Sequence, residues 1–187
     1  MKNIFIISGA AGSGKDSIID NLRSKLPIER IITTTTRTMR PGESEGNPYY
    51  FVSREDFQRR IVVGDFIEYS TNENGGCYGV TRTELERIEK LGGIAIWRVD
   101  WKGVETIKKL HPEILAIYIS APIEILEARL RARDTGKSET YFQERMDYTR
   151  EWLNHLDIYD YQVENEEGKL DEATGRVKSI IEQHLEK

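Results

Sequence analysis

The chain has 187 residues, 38% apolar and 32% charged, enough for one globular core with a small inserted or mobile piece but not for two full domains. A formal net charge of −5 repels nucleic acid overall, so any anion site has to be a local basic cluster, and no nucleic-acid partner is expected. The single cysteine excludes an internal disulfide, and the apolar run of MKNIFIIS is too short for a signal peptide or membrane span, so a cytoplasmic protein without a membrane partner is expected.

In chain order, NIFIIS (3–8) reads as a strand, and Ile18, Ile19, Leu22 and Leu26 after the glycines have helical spacing. Residues 33–81 break the pattern: turn signals in RPGESEGNP, strand-like YYFV and FIEYS, and a helical patch REDFQRRIVV predict a small α+β insertion. Thr81 and Glu84 form a capping box for a helix that Gly92 and Gly93 can close. Two further strand and helix pairs follow, GIAIWRV (93–99) with DWKGVETIKKL and ILAIYIS (114–120) with APIEILEARLRAR. RARDTGKSETYFQERM places a polar break between helix patterns, with Arg129, Arg131, Arg133 and Arg145 lacking an obvious acidic run beside them, which suits a mobile lid at about 131–145. DEATGRVKSIIEQHLEK closes the chain as a surface helix. Repeated βα units predict an α/β fold, a three-layer sandwich with a parallel sheet covered on both faces, with 1–32 and 82–187 as its core.

GAAGSGKDS (9–17) carries the first chemical signal. Gly9, Gly12 and Gly14, with Lys15 opening a helix after an apolar strand, fit a phosphate-binding loop better than a Gly-rich surface turn. Backbone N–H groups there curl into an anion nest, and Lys15 reaches the outer phosphates. Asp16 stands where that pattern has the Ser or Thr that binds Mg²⁺. As a hard oxygen donor it can replace the hydroxyl, with Ser17 as a helper; alternatively it points to solvent or pairs with a Lys. A second anion site is expected in ITTTTRTMRPGESEGNPYYF, where Thr33, Thr35 and Arg37 share a strand face and Arg40, Tyr49 and Tyr50 are close by. Two anion sites point to phosphoryl transfer between two substrates.

These pieces, with GDFIEY, YGVT, VDWKGV, RLRAR, Arg145 and VEN, resemble the guanylate kinase family over nearly the whole chain. The resemblance implies a P-loop core, a nucleoside-monophosphate-binding insertion and a lid, and transfer of a phosphoryl group from ATP to GMP with Mg²⁺. It assigns ATP to Gly9, Ala10, Ala11, Gly12, Ser13, Gly14, Lys15, Asp16, Ser17, Arg129 and Asn165. Arg37, Arg40, Tyr49 and Tyr78 would hold the acceptor's phosphate, and Thr33, Glu68 and Asp100 would read guanine. Lys15, Arg37, Arg133 and Arg145 would be catalytic, and Asp16 and Ser17 would face the metal.

A carboxylate such as Glu68 can accept from guanine N1–H and the N2 amino group together, although FIEYS also reads as a strand with Glu68 as an exposed charge. Asp100 can cap a helix, read the base, or do both. Cys77, directly before Tyr78, is either an acceptor-site thiol or a buried inert one. Four positions depart from the family pattern: Asp16, Val80 for a Ser or Thr, Arg98 for an acidic residue, and Lys102 for Gln. GKDS also resembles the P-loop of ribose 1,5-bisphosphate phosphokinases, which makes a sugar-bisphosphate kinase the second reading and a non-catalytic binding module the third. Glu68 favours the first, since a sugar needs no base reader, and Lys15 with its glycines speaks against the third.

Overall fold

The structure is a computed structural model that describes residues 3–71 and 75–185. The last two positions expected in the C-terminal helix, 186 and 187, lie outside it, as do the first two of the opening run.

Five parallel strands build the first sheet in the order β10-β9-β1-β8-β2. They are β1 (Ile4–Ser8), β2 (Ile28–Arg30), β8 (Ile94–Trp97), β9 (Leu115–Ser120) and β10 (Tyr161–Glu164). Successive side chains of the central strand β1 point to opposite faces, and both are covered. Phe5 and Ile7 pack with Ile18, Ile19 and Leu22 of α1 (Lys15–Arg23) and with Val177 and Ile181 of α7 (Leu170–Leu185). Ile4 and Ile6 pack with Leu85 and Ile88 of α3 (Arg82–Leu91) and Val104 and Ile107 of α4 (Trp101–Leu110). The expected three-layer α/β sandwich is therefore present, and the C-terminal helix contributes one face to its core.

A second, mixed sheet has the order β4-β5-β3-β7-β6 and occupies the segment read as an insertion. Its strands are β3 (Thr33–Thr35), β4 (Ser44–Glu45), β5 (Pro48–Phe51), β6 (Phe66–Thr71) and β7 (Cys77–Thr81), with α2 (Arg54–Val62) between β5 and β6. Ser53 caps α2 by accepting from Asp56 N at 3.0 Å. A small core of Phe57, Phe66 and Cys77 holds α2 on this sheet, with the two phenyl rings stacked at 4.3 Å.

The chain crosses between the sheets twice, and both crossings are tied to the first turn of α3. Thr81 caps that helix by accepting from Glu84 N at 3.2 Å. The Glu84 carboxylate, 2% exposed, accepts from Ile32 N at 2.7 Å, from the Tyr50 hydroxyl at 3.3 Å and from Arg87. A buried carboxylate is stable only when so many donors satisfy it.

The expected polar break lies between α5 (Ile123–Arg133) and α6 (Glu139–Trp152), and Ser138 caps α6 by accepting from Tyr141 N at 3.2 Å. Three of the four arginines find acidic partners even without an acidic run beside them. Arg129 pairs with Glu167, Arg131 with Glu127 and Glu139, and Arg133 with Asp134. Glu127 and Glu139 meet Arg131 through helical spacing and the turn, and Glu167 comes from a distant segment, so no acidic run was needed.

Candidate active site

The carboxyl ends of β1 and β8, the second sheet and α6 surround one cleft of about 790 Å³. Ligands of open α/β sheets bind at such strand ends. Lys15, Asp16, Thr33, Arg37, Arg40, Tyr49, Glu68, Tyr78, Asp100, Arg133 and Arg145 all line it, so most residues assigned from sequence converge on one space.

At the P-loop, Gly14 has φ 81 and Gly12 φ 86, the left-handed region that a side chain disfavours. Space is lacking too: a Cβ on Gly12 would lie 2.6 Å from the Leu126 carbonyl, and one on Gly14 would strike the Asn165 amide. Asn165 is buried beneath the loop and donates from Nδ2 to the Ser13 carbonyl at 2.8 Å. Arg129 donates to the Gly12 and Asn165 carbonyls at 3.3–3.4 Å. Neither residue is part of the cleft wall; both brace the loop from outside it. Burial holds the Lys15 ammonium down at about 8; Asp16 counters this, while Arg98, Arg133 and Arg145 press it further. An anion placed among these four cations relieves their repulsion.

Asp16 resolves differently from either sequence alternative. Its Oδ1 accepts from Arg98 Nη1 at 2.5 Å, and Arg98 Nη2 donates to the Tyr49 hydroxyl. Burial pushes the Asp16 carboxyl up, and the Lys15 and Arg98 charges overcome that and hold it below the usual carboxylate range. Two of the four departures from the family pattern thus form one ion pair. Ser17 is exposed on α1 and does not line the cleft. Among the described residues no group of three or more His, Cys, Asp or Glu is placed to hold a metal ion. Of the two residues expected to face the metal, Asp16 lines the cleft with its carboxylate paired to Arg98, and Ser17 lies outside the cleft wall.

Across the cleft, Arg37 forms a two-pronged contact with Glu43 at 2.7 and 3.0 Å, and its guanidinium lies 5.1 Å from the Tyr49 ring centroid. Tyr49 and Tyr78 meet edge to face at 6.0 Å. Thr35 is structural: its hydroxyl donates to the Cys77 carbonyl at 2.9 Å and accepts from Arg37 N at 3.1 Å, which shapes the loop that carries Arg37. Cys77 is buried beside Phe57 and Phe66 and is not part of the cleft wall, which favours the inert reading.

Glu68 is 4% exposed, so it is not the solvated strand charge that FIEYS alone permits. The β6–β7 register shifts between Phe66 and Glu68. Phe66 accordingly joins the small α2 core, whereas Glu68 sits opposite Val80 and faces the cleft. Burial, and then the Asp100 charge, raise its carboxyl to about 8. Val80 is fully buried and packs with Val104, an apolar solution at a position where the family pattern has a hydroxyl. Asp100 has both expected roles available: Oδ1 caps α4 by accepting from Gly103 N at 2.9 Å, and Oδ2 accepts from the Tyr148 hydroxyl at 3.2 Å at the cleft.

On the α5–α6 side, Arg133 and Arg145 reach the cleft while Arg131 is turned over the Phe142 ring at 4.5 Å. Arg145 Nε is buried without a hydrogen-bond partner among the described residues, and Arg133 is held by Asp134 at 2.8 and 2.9 Å. Sequence reasoning passed over Arg54, Lys137, Tyr141 and Tyr148, which also line the cleft. Arg98 was seen only as a departure, although its place just after a parallel strand beside the P-loop strand was a usable signal.

The guanylate kinase family model matches residues 1–184. The chain belongs to the guanylate kinase family. It is 36% identical over 181 residues to a guanylate kinase of Alcanivorax borkumensis, covering 96% of this chain and 86% of that one. It is 35% identical over 180 residues to one from Fusobacterium nucleatum, covering 96% and 95%. The crystal structure of guanylate kinase from Anaplasma phagocytophilum superposes with a TM-score of 0.76 at 27% identity, covering 97% of this chain and 85% of that one. Among the described residues no helix is long and apolar enough to cross a membrane.

Proposed function

We propose that this guanylate kinase family member transfers the γ-phosphoryl group of ATP to GMP, giving ADP and GDP, in the cytoplasm. The observation that carries this reading is the buried Glu68 carboxylate beside Asp100, in the same cleft as Lys15, Arg133 and Arg145. Guanine presents two adjacent donors, N1–H and the N2 amino group, which one carboxylate accepts together; adenine does not. In this reading Thr33, Glu68 and Asp100 select the base, and Arg37, Arg40, Tyr49 and Tyr78 hold the acceptor's phosphate. The 33–81 segment is then the acceptor-binding unit and 131–145 the lid.

Backbone N–H groups of the P-loop and Lys15 hold the β- and γ-phosphates of ATP. An oxygen of the acceptor phosphate attacks the γ-phosphorus as the bond to the β–γ bridging oxygen breaks. Arg133 and Arg145 spread the charge of the moving group, so catalysis is positional and electrostatic, with no covalent enzyme intermediate. Mg²⁺ accompanying ATP would neutralise charge on the phosphates, and Asp16, which lines the cleft in its pair with Arg98, is the loop carboxylate that would face it.

A sugar bisphosphate offers hydroxyl donors but no pair of adjacent N–H donors to match the buried Glu68 carboxylate. Incubation with Mg-ATP and GMP, dGMP, AMP, UMP or ribose 1,5-bisphosphate, with ADP measured, tests the reading. Turnover of GMP and dGMP alone is expected; equal turnover of AMP, or preference for the sugar, overturns it.

A further inference from the structure

We infer that Arg98 is a phosphate-binding residue of the acceptor site, held in reserve by Asp16 on the P-loop. The inference deepens the proposed function and rests on it, because it takes the acceptor to be a nucleoside monophosphate. Its starting point is a coupled pair of departures. A carboxylate on a P-loop repels phosphates, and a guanidinium at the end of the neighbouring strand is out of place unless something nearby carries negative charge. Each accounts for the other: the pair is 2.5 Å apart, spans 82 residues of sequence and lies between the two phosphate sites.

The second contact of Arg98 decides what the residue is for. Nη2 donates to the Tyr49 hydroxyl oxygen, which leaves the phenolic hydrogen free to donate outward into the cleft. The guanidinium carbons of Arg98 and Arg37 both lie 5.1 Å from the Tyr49 ring centroid. Any phosphate oxygen that accepts from Tyr49 is therefore within a short rotation of the Arg98 fork. Among the described residues Asp16 and Tyr49 use two of the five N–H donors of the guanidinium, and the others can turn to a ligand. The Asp16 side chain is 51% exposed against 23% for Arg98, so the carboxylate can return to water when a dianionic phosphate competes for its partner.

The same pair explains why Asp16 does not cripple the P-loop: its charge is offset until Arg98 turns to the acceptor. Arg98 thus replaces an acidic residue with a cation at the point where both substrates' phosphates meet.

Calorimetric titration of GMP and of guanosine, without ATP or metal, into wild type, R98Q, R98K and D16S tests the inference. GMP binding should weaken about 10- to 100-fold in R98Q and by less in R98K, the range for a lost hydrogen bond to a charged group. Guanosine, which has no phosphate, should bind wild type and R98Q alike. GMP should bind D16S about two- to tenfold more tightly than wild type, because the Asp16 carboxylate no longer competes for the fork. Asp16 is half exposed, so D16S keeps the test decisive even where R98Q does not fold. Wild-type GMP affinity in R98Q, equal weakening for guanosine, or no tightening in D16S overturns the inference. Failure of wild type to bind GMP at all overturns the proposed function instead.

Discussion

Glu68 and Asp100 converge on Gly103: Asp100 Oδ1 accepts from its N–H at 2.9 Å, and a Cβ on that glycine would lie 3.3 Å from Glu68 Oε2. The first turn of α4 therefore brings two carboxylates to one floor, and the repulsion between them adds to burial in raising Glu68 to about 8.

A proton balance follows. Only the ionised Glu68 accepts from both guanine donors, so GMP binding at pH 7 should release about one proton and strengthen as pH rises toward 8. Titration calorimetry in two buffers of different ionisation enthalpy measures that release directly. It should vanish in Glu68→Gln, together with roughly 1–3 kcal/mol of discrimination against AMP. Equal proton release in both proteins would assign the titration to another group.

Stability carries the same signature with a defined sign. The folded-state pKa of Glu68 is raised from 4.5 to about 8, so the folded protein binds more protons than the unfolded chain between those values. The stabilising contribution is complete below about pH 4.5 and is lost as pH rises through 8. Wild type should lose up to about 3–5 kcal/mol more than Glu68→Gln over that window, read from denaturant melts at pH 5 and pH 8.5.

ATP should show the opposite proton sign. Lys15 is held at about 8 by burial and by the surrounding arginines, and nucleotide phosphates restore its charge. At pH 8.5 ATP binding should take up a proton, and affinity should fall as pH climbs further. Lys15→Met should abolish the uptake; uptake that persists would place the titrating group elsewhere.

Asn165 is expected to act on ATP through the P-loop it supports. Asn165→Ala leaves the Ser13 carbonyl without its donor, at a cost of about 1–3 kcal/mol in stability, and ATP affinity should fall while GMP affinity holds. Equal losses for both nucleotides would show a general loosening of the cleft.

Cys77 should be slow to alkylate in the native protein whether or not GMP is present, because it is packed with Phe57 and Phe66. Protection by GMP in a timed iodoacetamide reaction would contradict that placement.

What the sequence discloses depends on how local the cause is. β1, β8 and β9 are interior strands buried on both faces, so they read as unbroken apolar runs. β2 and β10 lie at the two edges of the sheet with only one buried residue each, Ile28 and Val163, and their IER and YQVE segments carry no such pattern. The glycines and Lys15 are legible because nest geometry is set within a few residues. The burial of Glu68 is not, because a register shift and the packing of α4 decide it. The Asp16–Arg98 pair is invisible for the same reason: each residue looks like an isolated anomaly until β8 is laid beside β1.

The Glu84 junction sets the mechanics of the cleft. Both chain crossings between the sheets end on one helical turn, where Thr81 caps α3 and Glu84 holds Ile32 and Tyr50. The second sheet is held at that turn and again where β6 packs on α4, so a fault at Glu84 would tilt the sheet and displace Glu68 without touching it.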